Sequence, residues 1–394
     1  MGGHGRRHGG GVRGGRQVTL RVAVNLLWCV PGEVGGSEEY LARQLSGLAL
    51  VDPERARVDP TVFALPGYPG AHPELAERYA IETAPTSGSR RPSRVLSEHT
   101  WLARRTRRPH PFDLVHHGGG TTPMVGPGPV LLTIHDLQYL DHPAYVSAGK
   151  LRYLRFMMPR SVRRAAVVAV PSEFVRGTVI DAFETDPDRV VVVPHGIDVP
   201  TGPLEFDEAS LRRRLRLGPG PVLVYPAITH PHKNHRLLLE TMRRHWTDPD
   251  LRLVLLGGKG AAEHEVERSI AELGLSGRVV RPGRVPETDR DALLVMAEAL
   301  VFPSVYEGFG APLIEAMALG TPVICGDHPA VREVVGDAGL VLPADDPEAW
   351  ASALVEVRRS RRELAAAGLA RVARFGLDVS ATALIDAYER TVEP

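Results

Sequence analysis

Cysteine is nearly absent: the 394 residues include two, Cys29 and Cys325. They lie far apart, each inside an apolar run, so neither a disulfide framework nor a cysteine-rich zinc site is available. Lysine is scarce too, with Lys150, Lys233 and Lys259 the only three among 47 basic residues. Net charge is missing altogether, because 47 acidic residues balance the 47 basic ones. Residues 1–200 hold 24 basic against 19 acidic residues, a bias too small for a nucleic-acid-binding surface, which needs clustered positive charge. No long hydrophobic run occurs either. The longest aliphatic one, residues 165–170, falls well short of the ~20 residues that span a bilayer. The opening MGGHGRRHGGGVRGGR has no apolar segment behind its charges, so it is not a secretory signal, and a cytoplasmic location is expected.

What is present fits a folded α/β protein. Hydrophobic residues make up 43% and charged residues 24%, near the globular average, and the length calls for two cores rather than one. Residues 1–16, half of them glycine, cannot bury apolar surface and are expected to form a disordered tail. Beyond them, short β-branched runs alternate with helical stretches. The first half offers strands at 18–28, 61–65, 113–116, 130–135, 166–171 and 189–193; the second at 222–227, 251–257, 278–281, 299–302, 321–325 and 339–342. Many are apolar at successive positions, as strands buried on both faces of a parallel sheet are. Two sets of six predict two Rossmann-like, doubly wound domains facing a central cleft, with residues 198–221 as linker. The expected domains are 17–199 and 200–376, followed by a helix over 377–394.

The sharpest motif is FPSVYEGFGAPLIEAMALGTPVIC, which reads as strand, glycine loop, short helix, strand. Pro312 suits a first helical turn, and Gly320 suits a left-handed C-terminal residue. A glycine loop feeding a helix N-terminus makes an anion site. Glu307 and Glu315 flank it; carboxylates cannot bind phosphate there, but they can accept hydrogen bonds from sugar and ribose hydroxyls. Lys233, after the first strand of the second half, can neutralise a leaving diphosphate. His135 ends a strand at the carboxyl edge of its sheet. His116 and His117 end another and are candidates for the acceptor side. Gly35 and Gly36 follow the first strand, with Ser37 as the expected N-cap of the next helix. GGKG at 257–260 follows a strand without the full dinucleotide spacing and is expected near the donor phosphates. The Asp-x-Asp pairs at 186–188 and 248–250 fall in turns and are not read as a metal site. Basic stretches at 90–108 and 150–164 read as solvated helix faces; the second, with Pro159 limiting it as a single helix, also suits peripheral contact with an anionic membrane surface.

EGFGAPLIEAMALGTPVI resembles the E-x7-E signature of retaining GT-B glycosyltransferases, family 4 in particular. GEVGGSEEY, TIHDL, VVAVPSEF, VVVPHGID, HKN and RPGRVPETDRDALLVMAEALVFPS agree in order, so the resemblance covers about residues 18 to 392. It implies a nucleotide-sugar donor held by the C-terminal domain and a glycan, lipid-linked or small-molecule acceptor held by the N-terminal one. By the same resemblance Glu307 meets the donor sugar and Glu315 the ribose. The backbone of Gly308, Phe309 and Gly310 meets sugar and phosphate, Arg284 and Val285 lie on the donor side, and His135 faces the sugar. Lys233 matches the family's lysine, whereas His230 and His232 depart from its pattern. Gly35 and Gly36 correspond to the N-terminal glycine loop. Metal-independent retention is implied, without a cofactor, and the last helix is implied to cross back onto the N-terminal domain. A sucrose-type or phosphorolytic enzyme and a catalytically silent nucleotide-sugar-binding protein remain the alternatives.

Overall fold

A computed structural model describes residues 19–33, 35–107 and 112–393. The expected tail at 1–16 and Arg108 of the first basic stretch lie outside the described residues. Seven strands build the first sheet: β1 (Leu20–Asn25), β2 (Val58–Ala64), β3 (Ala80–Thr83), β4 (Leu114–His117), β5 (Val130–Thr133), β6 (Val167–Val170) and β7 (Val190–Val192), in the order β3-β2-β1-β4-β5-β6-β7. Six build the second: β8 (Val222–Pro226), β9 (Arg252–Leu256), β10 (Val279–Gly283), β11 (Ala299–Phe302), β12 (Val323–Gly326) and β13 (Leu340–Leu342), in the order β10-β9-β8-β11-β12-β13. All the pairings are parallel. The strands β4, β5, β6, β11 and β12 are buried along their whole length, which explains why all of them but β4, with its His116 and His117, read as largely apolar runs.

Two sequence expectations need correcting here. β3 was not expected: its AIET has one large apolar residue and lies half exposed at the sheet edge, so no periodic signal marks it. Within the expected linker, Glu208–Leu215 is a helix. The Asp207 carboxylate caps it by accepting from Ser210 N at 2.9 Å, and Leu211 anchors it in the second core.

In each sheet the strand order reverses between two central strands, β1 and β4 in one and β8 and β11 in the other. Loops leaving the carboxyl ends there diverge and open a crevice. The two crevices face each other. The last helix, Leu377–Val392, returns to the first sheet: Leu384, Ile385 and Tyr388 are buried in the N-terminal core. Its entry is fixed by Ile197 N donating to Phe375 O at 2.7 Å. The stretch at 150–164 belongs to one helix, Ala148–Arg164, which continues through Pro159. Arg155, whose carbonyl loses its amide partner to that proline, is exposed, and Arg160 Nη1 donates to the neighbouring Phe156 carbonyl at 2.7 Å. Among the described residues no helix is long and apolar enough to cross a membrane.

Candidate active site

Between the two crevices lies a cavity of about 610 Å³, lined by the loops after β1, β5, β8, β9, β10 and β11. His135, Lys233, Glu307, Gly308, Phe309, Gly310, Glu315, Arg284, Val285, Gly35 and Gly36 all contribute to its wall. Residues as far apart in the chain as Gly35 and Glu315 are thus brought to one place by the two parallel sheets.

The floor is a pair of charges. Lys233 Nζ donates to Glu307 Oε1 at 2.5 Å, and both side chains are largely buried. Lys233 is held by its own backbone. It ends a short 3-10 turn, Pro231–Lys233, and its carbonyl accepts from the Tyr225 hydroxyl at 2.7 Å. Asn234 follows in a left-handed conformation, with its side-chain amide on Ala344 O at 2.7 Å. The cation therefore enters the cleft from a turn that cannot swing.

Beside this pair the helix Ala311–Ala318 points its N-terminus into the cavity, with Gly310 as N-cap at φ 107° and Pro312 in the first turn. No side chain caps it, and among the described residues the N–H groups of Gly308, Phe309, Gly310 and Ala311 donate to no protein acceptor. Four such donors at a positive helix end are chemically suited to receive an anion. Gly308 is also the point of contact with the N-terminal domain. Its carbonyl accepts from Ser172 Oγ at 2.6 Å, and a Cβ at this position would overlap the His135 carbonyl. The Phe309 ring is buried, stacked on His195 at 4.6 Å and edge-on to Phe375 at 5.5 Å.

His135 has a defined protonation state. Its Nε2 lies 2.9 Å from the Gly118 carbonyl, which can only accept, so Nε2 carries the proton. The Nδ1 lone pair is buried without a partner. Burial pushes the pKa below the usual histidine value, which keeps the ring neutral. His135 is therefore a neutral ring with an unpartnered acceptor nitrogen, and not a cation.

Several expectations fall elsewhere. His116 and His117 are interior residues rather than acceptor-facing ones. His116 bridges the Tyr388 hydroxyl at 2.9 Å and Thr133 Oγ1 at 2.8 Å; His117 Nδ1 meets Asn25 Nδ2 at 3.0 Å; burial lowers both pKa values to about 3. The N-cap of the helix Gly36–Gly47 is Gly35, at φ 75°, and not Ser37. In GGKG, Gly257 and Gly258 line the cavity, whereas Lys259 is mostly exposed and faces Glu263 at 3.5 Å. The Asp-x-Asp carboxylates brace their own turns, Asp186 accepting from Asp188 N at 3.0 Å and Asp248 from Asp250 N at 2.9 Å. His232 is buried with its pKa pushed down to about 3, first by burial and then by Lys233.

Two residues at or behind the cavity wall were not singled out from the sequence. His195, in VVVPHGID after β7, is buried between the Tyr40 and Phe309 rings, each 4.6 Å away. Its place at the end of a strand was the available signal. Arg43, on the helix Gly36–Gly47, pairs with Glu315 at 2.8 Å across the domain boundary, a contact no local pattern encodes.

Residues 34–201 match Glycosyltransferase Family 4, and residues 207–368 match Glycosyl transferases group 1. O-antigen chain mannosyltransferase B of Escherichia coli is 31% identical over 265 residues, which are 65% of this chain and 69% of that one. The chain belongs to glycosyltransferase family 4. Another family 4 relative, the MMP alpha-(1->4)-mannosyltransferase of Mycolicibacterium hassiacum, is 30% identical over 302 residues, 71% of each chain. In architecture this glycosyltransferase has the GT-B fold. Its backbone superposes on Anabaena HepE, solved in complex with UDP and glucose, with a TM-score of 0.72 at 19% identity, over 94% of this chain and 99% of that one.

Proposed function

We propose that this family 4 glycosyltransferase moves a hexose from a nucleotide sugar to a hydroxyl acceptor with retention of anomeric configuration and without a metal. The observation that carries the reading is the Lys233–Glu307 pair beside the free N–H groups of Gly308 to Ala311. A diphosphate bound at the helix N-terminus meets those donors and Lys233, which stabilise the negative charge that grows on the leaving phosphate. Glu307, next to Lys233, accepts from a hydroxyl of the sugar, and Glu315 from the ribose. The neutral His135 accepts from another sugar hydroxyl through Nδ1. The leaving phosphate itself takes the acceptor's proton on the face from which it departs, which is how configuration is kept.

In this reading the charge on the leaving phosphate is met by Lys233 and the helix N-terminus, so no metal is called for. Mannose is the first sugar to test, because both relatives matched over more than two thirds of their length are named mannosyltransferases. The test is turnover of GDP-mannose, UDP-glucose and UDP-N-acetylglucosamine in excess EDTA with a panel of hydroxyl acceptors, the product's anomeric configuration being read by NMR. An α-linked product from an α-linked donor is expected. A β-linked product, or activity that EDTA abolishes and Mg²⁺ or Mn²⁺ restores, contradicts the reading.

A further inference from the structure

Glu315 lines the cavity, yet its strongest partner stands outside it and on the other domain. Arg43 Nη2 lies 2.8 Å from Glu315 Oε1, with the two side chains 13% and 10% exposed. Among the described residues the remaining oxygen, Oε2, has only Arg290 Nη1, at 3.9 Å. Arg290 is already held more closely by Glu287 at 2.7 Å and Asp291 at 2.8 Å. One oxygen of Glu315 is thus fixed from behind while the other keeps its lone pairs for a ligand. Arg43 itself is held loosely on its own helix, with Nε 3.7 Å from Glu39 Oε2.

We propose that Arg43 is a positioning residue for donor binding, acting from the N-terminal domain through Glu315, which it holds aimed so that Oε2 accepts a ribose hydroxyl. This rests on the reading of Glu315 as the ribose carboxylate. A carboxylate buried to this degree is costly without a cation, and a charge-assisted hydrogen bond to a hydroxyl is strong only if the carboxylate is both charged and oriented. Since the helix Gly36–Gly47 and the helix Ala311–Ala318 belong to different sheets, the carboxylate is set only when the two domains are together. Ribose recognition and domain approach are therefore one event.

The experiment compares dissociation constants of UDP and GDP with those of their 2′,3′-dideoxy counterparts, in the intact protein and in Glu315→Gln, Arg43→Met, Arg43→Gln and Arg43→Lys. Melting is followed in parallel; Met and Gln fill the site differently, so one folded uncharged variant suffices. For whichever base is bound, the unaltered protein should favour the ribose form by about ten- to a hundredfold, the scale of a charge-assisted hydrogen bond. Glu315→Gln should reduce that preference to within about threefold, and the folded uncharged Arg43 variant should do nearly the same. Arg43→Lys should restore much of it, and turnover at saturating donor should change far less than donor KM. A merely structural Arg43 would leave the ribose preference intact. Full preference in the uncharged Arg43 variant, with the preference lost in Glu315→Gln, overturns the role of Arg43. Full preference in Glu315→Gln overturns the ribose reading itself.

Discussion

Glu98 shows how far a single side chain can depart from its ordinary chemistry in this molecule. It opens a five-residue π-helical turn, Glu98–Leu102, and is buried; its Oε1 accepts from Asn25 Nδ2 at 3.1 Å, and no cation pairs with it among the described residues. Burial pushes its pKa up to about 7, more than the Asn25 hydrogen bond and Arg94 offset. Between pH 4.5 and 7 the folded chain then holds a proton that the unfolded chain has released, so stability falls as pH rises through that window. Glu98→Gln removes the titration while keeping an oxygen for Asn25. The variant's advantage in unfolding free energy should grow by about 2 kcal/mol between pH 5 and pH 8.5, read by denaturant melts at both values. An advantage that does not change with pH would show that Glu98 is ionised in the folded state. The same rule of burial keeps His135 neutral, as the proposed function requires of a ring that accepts a hydrogen bond.

At the scale of elements the site depends on three pieces: the turn that presents Lys233, the free N-terminus of Ala311–Ala318, and the glycine loop before it. Gly308 is the tightest joint, since any Cβ there meets the His135 carbonyl, which is backbone and cannot rotate away. Gly308→Ala should therefore leave each core folded, with a melting temperature within a few degrees, while transfer falls at least tenfold as the two domains are held apart. Unchanged turnover would mean that this contact is not required in the active arrangement. These pieces were legible in the sequence because they are local. EGFGAPLIE encodes a loop, a cap and a helix start within a few residues, and HKN encodes a turn. Glu98, Arg43 and the burial of His116 were not legible, because their partners, Asn25, Glu315 and Tyr388, come from 73, 272 and 272 positions away, and only the assembled sheets bring them together. β3 escaped for the opposite reason: an edge strand with one apolar side chain carries too little pattern to be seen.

The whole molecule joins two parallel sheets whose switch points face one another, tied by the Ser172–Gly308 hydrogen bond, the Arg43–Glu315 pair and the returning helix Leu377–Val392. This arrangement puts His135 and the glycine loop of one domain and the unpartnered backbone N–H groups of the other around a single cavity. On the proposed function, Glu307 meets the reacting sugar in that cavity and stabilises the transition state more than the bound donor. Steady-state transfer by Glu307→Gln, alongside binding of the nucleoside diphosphate, tests this. The expected result is a fall in kcat of about ten- to a hundredfold, with nucleoside diphosphate affinity within about threefold and melting within a few degrees. Wild-type kcat in that variant, with the donor bound normally, would contradict it.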